Sequence, residues 1–146
     1  MEDRYARYGQ VSLLIAYHVQ TALHFTASKN HLDIARKLIA NKATTRKKDK
    51  RQQLPLHRAA AVGSVPMIKL FLENQSPVNA TDVDGWTALH HAISEGHGDA
   101  AIELMKAGAD PKKKDRDDQL PMSLAPDSKV RDFILTSAER EGIDLE

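Results

Sequence analysis

Apolar residues recur along this chain at a fixed step. The pairs Leu38-Ile39, Phe71-Leu72 and Leu104-Met105 lie 33 positions apart. The tetrapeptides Thr21-Ala22-Leu23-His24, Leu54-Pro55-Leu56-His57, Thr87-Ala88-Leu89-His90 and Leu120-Pro121-Met122-Ser123 begin at 21, 54, 87 and 120, again 33 apart. Asn30, Gly63 and Gly96 follow the first three, where a residue tolerant of positive φ closes a helix. The pattern predicts helix pairs near Thr21–Lys29 and Leu32–Asn41, Leu54–Val62 and Val65–Asn74, and Thr87–Glu95 and Asp99–Lys106. Pro66 falls in the first turn of its helix, where a missing N–H costs nothing. Polar stretches 44–53, 77–86 and 110–119 separate the pairs and predict hairpin tips projecting to one side. Asp49, Asp82 and Asp115 hold one place in the three tips.

A 33-residue period with a T-P-L-H-x-A-like core is the mark of the ankyrin repeat. The resemblance implies an all-α solenoid of helix-turn-helix units, none of which buries its apolar face alone. The repeats divide as about 20–49, 50–82, 83–115 and 116–146, after an atypical segment at 1–19.

Both ends depart from the period. Stepping back 33 from Asp49 gives Ala16, and Val11–Val19 is too apolar for a solvated tip. Residues 1–19 are either an unusual N-terminal cap or a stand-in for ordinary upstream repeats, through truncation or a different start. The second reading is favoured because a terminal repeat needs a polar outer face. In repeat four, Pro126 should end the first helix early. Val130, Ile134 and Leu135 then resume second-helix spacing three residues ahead of schedule. A shortened, charged final helix ending in Glu139-Arg140-Glu141-Gly142 is expected as a C-terminal cap.

Composition sharpens this picture. Hydrophobic residues make up 41% of the 146 and aromatics only 5%, so the interior is built from Ala, Leu, Ile and Val. With no cysteine there is neither a disulfide framework nor thiolate chemistry. A net charge of +1 supplies no global field for nucleic acid or membranes. The apolar run Val11–Tyr17 is too short to span a bilayer, and Glu2 and Asp3 argue against a signal peptide.

Candidate chemistry is sparse. His24, His57 and His90 share one column, which suits local hydrogen bonds tying turns together and offers no converging zinc ligands. No Cys–His pair, nucleophile elbow or phosphate loop is present, so neither an enzyme nor a cofactor or metal is expected. The runs Arg46–Arg51 and Lys112–Asp117 are basic and two repeats apart, with Asn79–Asp84 acidic between them. They are simply solvated tips, or the first run is a nuclear-localisation signal or nucleic-acid patch, or, the better functional reading, they face a protein partner of alternating charge. Nucleic acid is disfavoured, since no aromatic platform accompanies the lysines. Trp86, the lone tryptophan, is either a binding hot spot or packed on a neighbouring tip.

Beyond the generic repeat, Ala27–Asn30, His57–Gly63 with Met67-Ile68, and the shortened Leu120–Leu135 end resemble gankyrin and its fungal counterparts. These are ankyrin-repeat assembly chaperones of the proteasome's 19S regulatory particle. The resemblance implies binding to the C-terminal domain of a base ATPase subunit through the concave face, by a monomer of the cytoplasm and nucleus. Family members carry about seven repeats and this chain matches the last three and a half; the L-x-C-x-E motif of some relatives is absent. Expected contacts are the variable concave positions. These are Lys48, Lys50, Arg51, Gln53 and Arg58 in the first tip and its helix. The second contributes Thr81, Val83, Asp84, Trp86, His91, Ser94 and Glu95, and the third Lys114, Arg116, Asp117 and Gln119. The alternative is a general ankyrin adaptor for another client, such as a kinase or a transcription regulator.

Overall fold

A computed structural model describes residues 22–146. The readings of segment 1–19 and of Thr21 lie outside the described residues. The chain runs through helices α1 (22–29), α2 (Leu32–Ala40), α3 (Pro55–Val62), α4 (Val65–Glu73), α5 (Ala88–Ser94) and α6 (Gly98–Lys106). A 3-10 turn at Pro121–Leu124 and helix α7 (Ser128–Glu141) complete it. No strand occurs among the described residues.

Each helix pair is closed the same way. Asn30, Gly63 and Gly96 adopt φ of 59°, 81° and 79°. That turn lets the N–H groups of His31, Ser64 and His97 donate to Thr26, Ala59 and Ala92 carbonyls at 2.9, 3.1 and 2.8 Å, so the helix ends are satisfied. Tips then carry the chain back to the next first helix.

Stacking produces two layers. α3 packs on α5 and α5 on the 3-10 turn, while α2 packs on α4, α4 on α6 and α6 on α7. Ala59, Ala60, Ala92, Ala100 and Ala101 are fully buried, and such small side chains let helices approach closely. Met67, Ile68, Phe71, Leu104 and Ile134 fill the space between the layers. Burial of each stabilises by about 1.5–3 kcal/mol. Gly98 opens α6, and the Phe133 ring lies on it; a Cβ there would come within 2.4 Å of that ring.

The C-terminal end corrects one expectation. Pro126 does curtail the first helix of repeat four, leaving only the 3-10 turn. The final helix, however, is not shortened: α7 has 14 residues against nine in α2, α4 and α6. Asp127 caps its start, its Oδ1 accepting from the Val130 N–H at 2.9 Å. Between Asp127 and Gly142 there is no proline or glycine to stop the helix, so it continues until Gly142 turns to φ 70°.

Candidate functional site: the tip-side face

The tips are built around their aspartates. Asp49 Oδ1 accepts from the N–H groups of Arg51 and Gln53, both at 2.9 Å. Asp82 Oδ1 does the same for Asp84 and Trp86 at 2.9 and 3.0 Å, and Asp115 Oδ1 for Asp117 and Gln119 at 2.9 and 2.8 Å. One carboxylate oxygen thus holds each loop in the same shape. Successive tips are joined edge to edge, Val83 N–H donating to the Arg51 carbonyl and Arg116 N–H to that of Asp84, each at 3.1 Å.

The second oxygen is where the repeats differ. Asp49 Oδ2 takes the Arg58 guanidinium at 2.8 Å, and Asp82 Oδ2 meets His91 Nε2 at 2.8 Å. Asp115 Oδ2 receives the Trp86 indole N–H at 2.9 Å from the preceding tip. Burial raises the pKa of all three carboxyls, but these hydrogen bonds outweigh it and hold each below the ordinary carboxylate value. The acids stay charged and are occupied from within.

The histidine column latches helix starts to tips. His57 Nδ1 accepts the Leu54 N–H at 2.9 Å, while Nε2 faces the carbonyls of Ala80 and Trp86 at 3.0 and 3.1 Å. Two carbonyls at Nε2 require its proton there, so the ring is neutral. Burial, followed by the neighbouring His91, lowers its pKa to about 4, against the opposing pull of Asp82 and the carbonyls. His90 repeats the arrangement with the Thr87 N–H at 3.1 Å and the Gln119 carbonyl at 3.4 Å, and burial lowers its pKa too. His24 Nε2 lies 2.8 Å from the Gln53 carbonyl. No group of three or more His, Cys, Asp or Glu fit to hold a metal occurs among the described residues.

The expected contact residues divide into engaged and open. Arg58 bridges Asp49 and the Ser28 hydroxyl, and Lys48 Nζ reaches across to the Thr81 carbonyl at 3.0 Å. Trp86 is half-buried, stacked on His90 and edge-on to His91 as well as bonded to Asp115. Gln53 lies 3.5 Å from Asp82, and Lys114 pairs with Asp118 at 3.3 Å. Lys50, Arg51, Asp84, Glu95, Arg116, Asp117 and Gln119 are exposed; Thr81, Val83, His91 and Ser94 are half-buried. Asp82 is buried, so Asp84 is the acid that tip two offers to solvent.

Sequence reasoning missed Phe25, which is 56% exposed. It stands one 33-residue step before Arg58 and two before His91, the column whose side chains turn toward the tip aspartates. That arithmetic was the available signal.

Comparison with known proteins agrees with the geometry. The model of the family described as ankyrin repeats (3 copies) matches residues 5–82 and 23–115. The probable 26S proteasome regulatory subunit p28 of Saccharomyces cerevisiae is 42% identical over 119 residues, covering 80% of this chain and 52% of that protein. The ankyrin repeat-containing protein C6C3.08 of Schizosaccharomyces pombe is 39% identical over 128 residues, covering 86% and 54%. Human NF-kappa-B inhibitor zeta is 36% identical over 115 residues, covering 73% and 16%. The chain thus spans about half the length of the two fungal relatives. With helix pairs stacked at a 33-residue step and a histidine and an aspartate fixed at each junction, this chain belongs to the ankyrin-repeat family.

Proposed function

We propose that this chain is a non-enzymatic interaction scaffold that chaperones assembly of the 26S proteasome regulatory particle. It does so by binding the C-terminal domain of a base ATPase subunit. The observation that carries the reading is the 42% identity to the yeast proteasome subunit p28 over 80% of the chain. The state of the polar groups supports a binding role over a catalytic one. The histidines and tip aspartates are consumed by structural hydrogen bonds, whereas Lys50, Arg51 and Arg116 project into solvent. Exposed cations on a rigid frame suit recognition by charge. The contact surface comprises the tip positions named above, on a monomer working in cytoplasm and nucleus.

Isothermal titration of the folded chain with the C-terminal domain of each base ATPase tests this. One of them is expected to bind, and the Lys50→Glu/Arg51→Glu double variant to weaken that binding by more than about 1 kcal/mol. Absence of binding to every ATPase domain would sink the reading. A second reading, a general ankyrin adaptor, draws on similarity to otherwise different proteins. NF-kappa-B inhibitor zeta, for example, is 36% identical over 73% of this chain. Co-purification with the base ATPases, or with another client instead, separates the two.

A further inference from the structure

We infer that the first-helix face beside tip one is a docking surface for an acidic, amphipathic segment of a partner protein. The segment's apolar side chain seats on Phe25, and its carboxylates meet the cations of Lys29, Lys50 and Arg51. The inference rests on the protein-binding reading but not on which protein binds.

Three observations carry it. First, Phe25 is a large apolar side chain held out on an otherwise anchored helix turn. It is 56% exposed, while Leu23, Thr26 and Ala27 around it are buried. Its column mates Arg58 and His91 are spent on Asp49 and Asp82, so Phe25 is the member of that column left open to a partner. Val62 on α3, one turn beyond Arg58 and one 33-residue step after Lys29, is 38% exposed and offers a second apolar side chain on the first-helix face.

Second, tip one brings cations to this face, since its Gln53 carbonyl lies 2.8 Å from Nε2 of His24, the residue before Phe25. Lys29, Lys50 and Arg51 are exposed, and among the described residues none of them is in an ion pair. Lys29 Nζ sits 5.9 Å from the Phe25 ring centroid, which places one cation directly at the apolar contact. The acid of tip one, Asp49, is neutralised by Arg58 at 2.8 Å and offers nothing to an incoming base. A basic segment would be repelled here, and a wholly apolar one would leave the cations facing it unpaired.

Third, the other aromatic near the tips is unavailable. Trp86 is stacked on His90 and bonded to Asp115, so it cannot turn outward without breaking a charged hydrogen bond. A single exposed phenylalanine gives one stacking surface, whereas a nucleic-acid strand uses a succession of them. An aromatic anchor ringed by cations suits one apolar side chain flanked by carboxylates.

The test is selection of displayed random peptides, about 15 residues or four helical turns long, on the full 146-residue chain, with counter-selection on the Phe25→Ala variant. Enriched peptides are expected to carry an apolar residue within an acidic stretch. A synthetic representative should bind the wild-type chain at least about tenfold more tightly than Phe25→Ala or Val62→Ser, both checked for folding by circular dichroism. Its binding should also fall at least about tenfold when its acids become lysines. The inference is overturned if no peptide is enriched, or if the enriched peptides lack acids. Binding of either variant as tight as that of the wild-type chain, or displacement of the peptide by a single-stranded oligonucleotide, overturns it as well. Because the peptides are unrelated to any ATPase, this result and that of the ATPase titration can fail independently.

Discussion

Tips one and two have the same backbone and opposite accessibility. In both, an aspartate gathers the N–H groups two and four residues ahead of it and fixes the loop. Asp49 then hands its second oxygen to a half-buried arginine at the edge of solvent, while Asp82 hands its own to His91 beneath Trp86. Tip one keeps its cations in water, and tip two turns its polar groups inward. An identical loop motif can therefore serve as a recognition element in one repeat and as a structural clasp in the next. The residue 9 positions downstream, Arg58 or His91, decides which.

The largest expected effect breaks the clasp. Asp82→Ala would leave the Asp84 and Trp86 N–H groups and the half-buried His91 without the buried carboxylate that accepts from them. Each orphaned group costs about 1–3 kcal/mol, so a loss of about 4 kcal/mol is expected in urea unfolding. Asp49→Ala, whose partners can turn to water, should lose about half as much. Equal losses would show that the two tips do not differ as described.

Acid sharpens the comparison next. His57 has its folded pKa depressed to about 4 from 6.5, so the unfolded chain binds the extra proton first as pH falls. The stability contributed by keeping this ring neutral is full above pH 6.5 and is lost between there and pH 4. The shift corresponds to about 3 kcal/mol. The tip aspartates, lowered below 3.8, add their own loss at still lower pH. Thermal melts at pH 7 and pH 4.5 measure the first part. His57→Gln keeps an acceptor for the Leu54 N–H at the same helix position, so its melting temperature should vary less across that range. An unchanged pH slope in the variant would remove His57 as the cause.

A smaller effect lies at Gly85. It has φ of 75°, and an added Cβ would sit 2.9 Å from the Arg116 backbone nitrogen at the joint between tips two and three. Gly85→Ala is expected to cost about 2 kcal/mol, from the left-handed backbone and the displaced tip together. Gln52 occupies the matching place in tip one with φ of 61° and already carries a Cβ, so Gln52→Ala should change stability by less than about 0.5 kcal/mol. Similar losses at both positions would mean that the joint is not the reason for the glycine.

Much of this architecture was legible in the sequence because it depends on local signals at a fixed period. The helix pairs follow from apolar spacing and from Asn30, Gly63 and Gly96, whose positive φ the chain needs wherever a first helix stops. Pro126 announced the curtailed helix of repeat four, but the length of α7 did not follow from its early start. Length was set by the lack of any stop before Gly142. The tip aspartates stood out by their spacing, yet their partners did not, because those depend on which side chain crosses the junction. Trp86 reaches Asp115 across 29 residues, and no property of either residue alone says so. Phe25 was hidden for the opposite reason: a phenylalanine in a first helix reads as core until it is placed in one column with Arg58 and His91.

The bonds joining the repeats have one more consequence. They reach back by 23 residues from Ala80 to His57, by 29 from Trp86 to His57, and by 33 from Thr81 to Lys48. The junctions on either side, His24 to Gln53 and His90 to Gln119, also span 29 residues, so the loops closed are of similar size, and loop-closure entropy grows only with the logarithm of that size. No junction is therefore much harder to make than another, and folding has no obligatory starting point. A pull on the two ends would open the stack one repeat at a time, in steps of about 33 residues. The weakest junction, rather than the nearest end, would yield first.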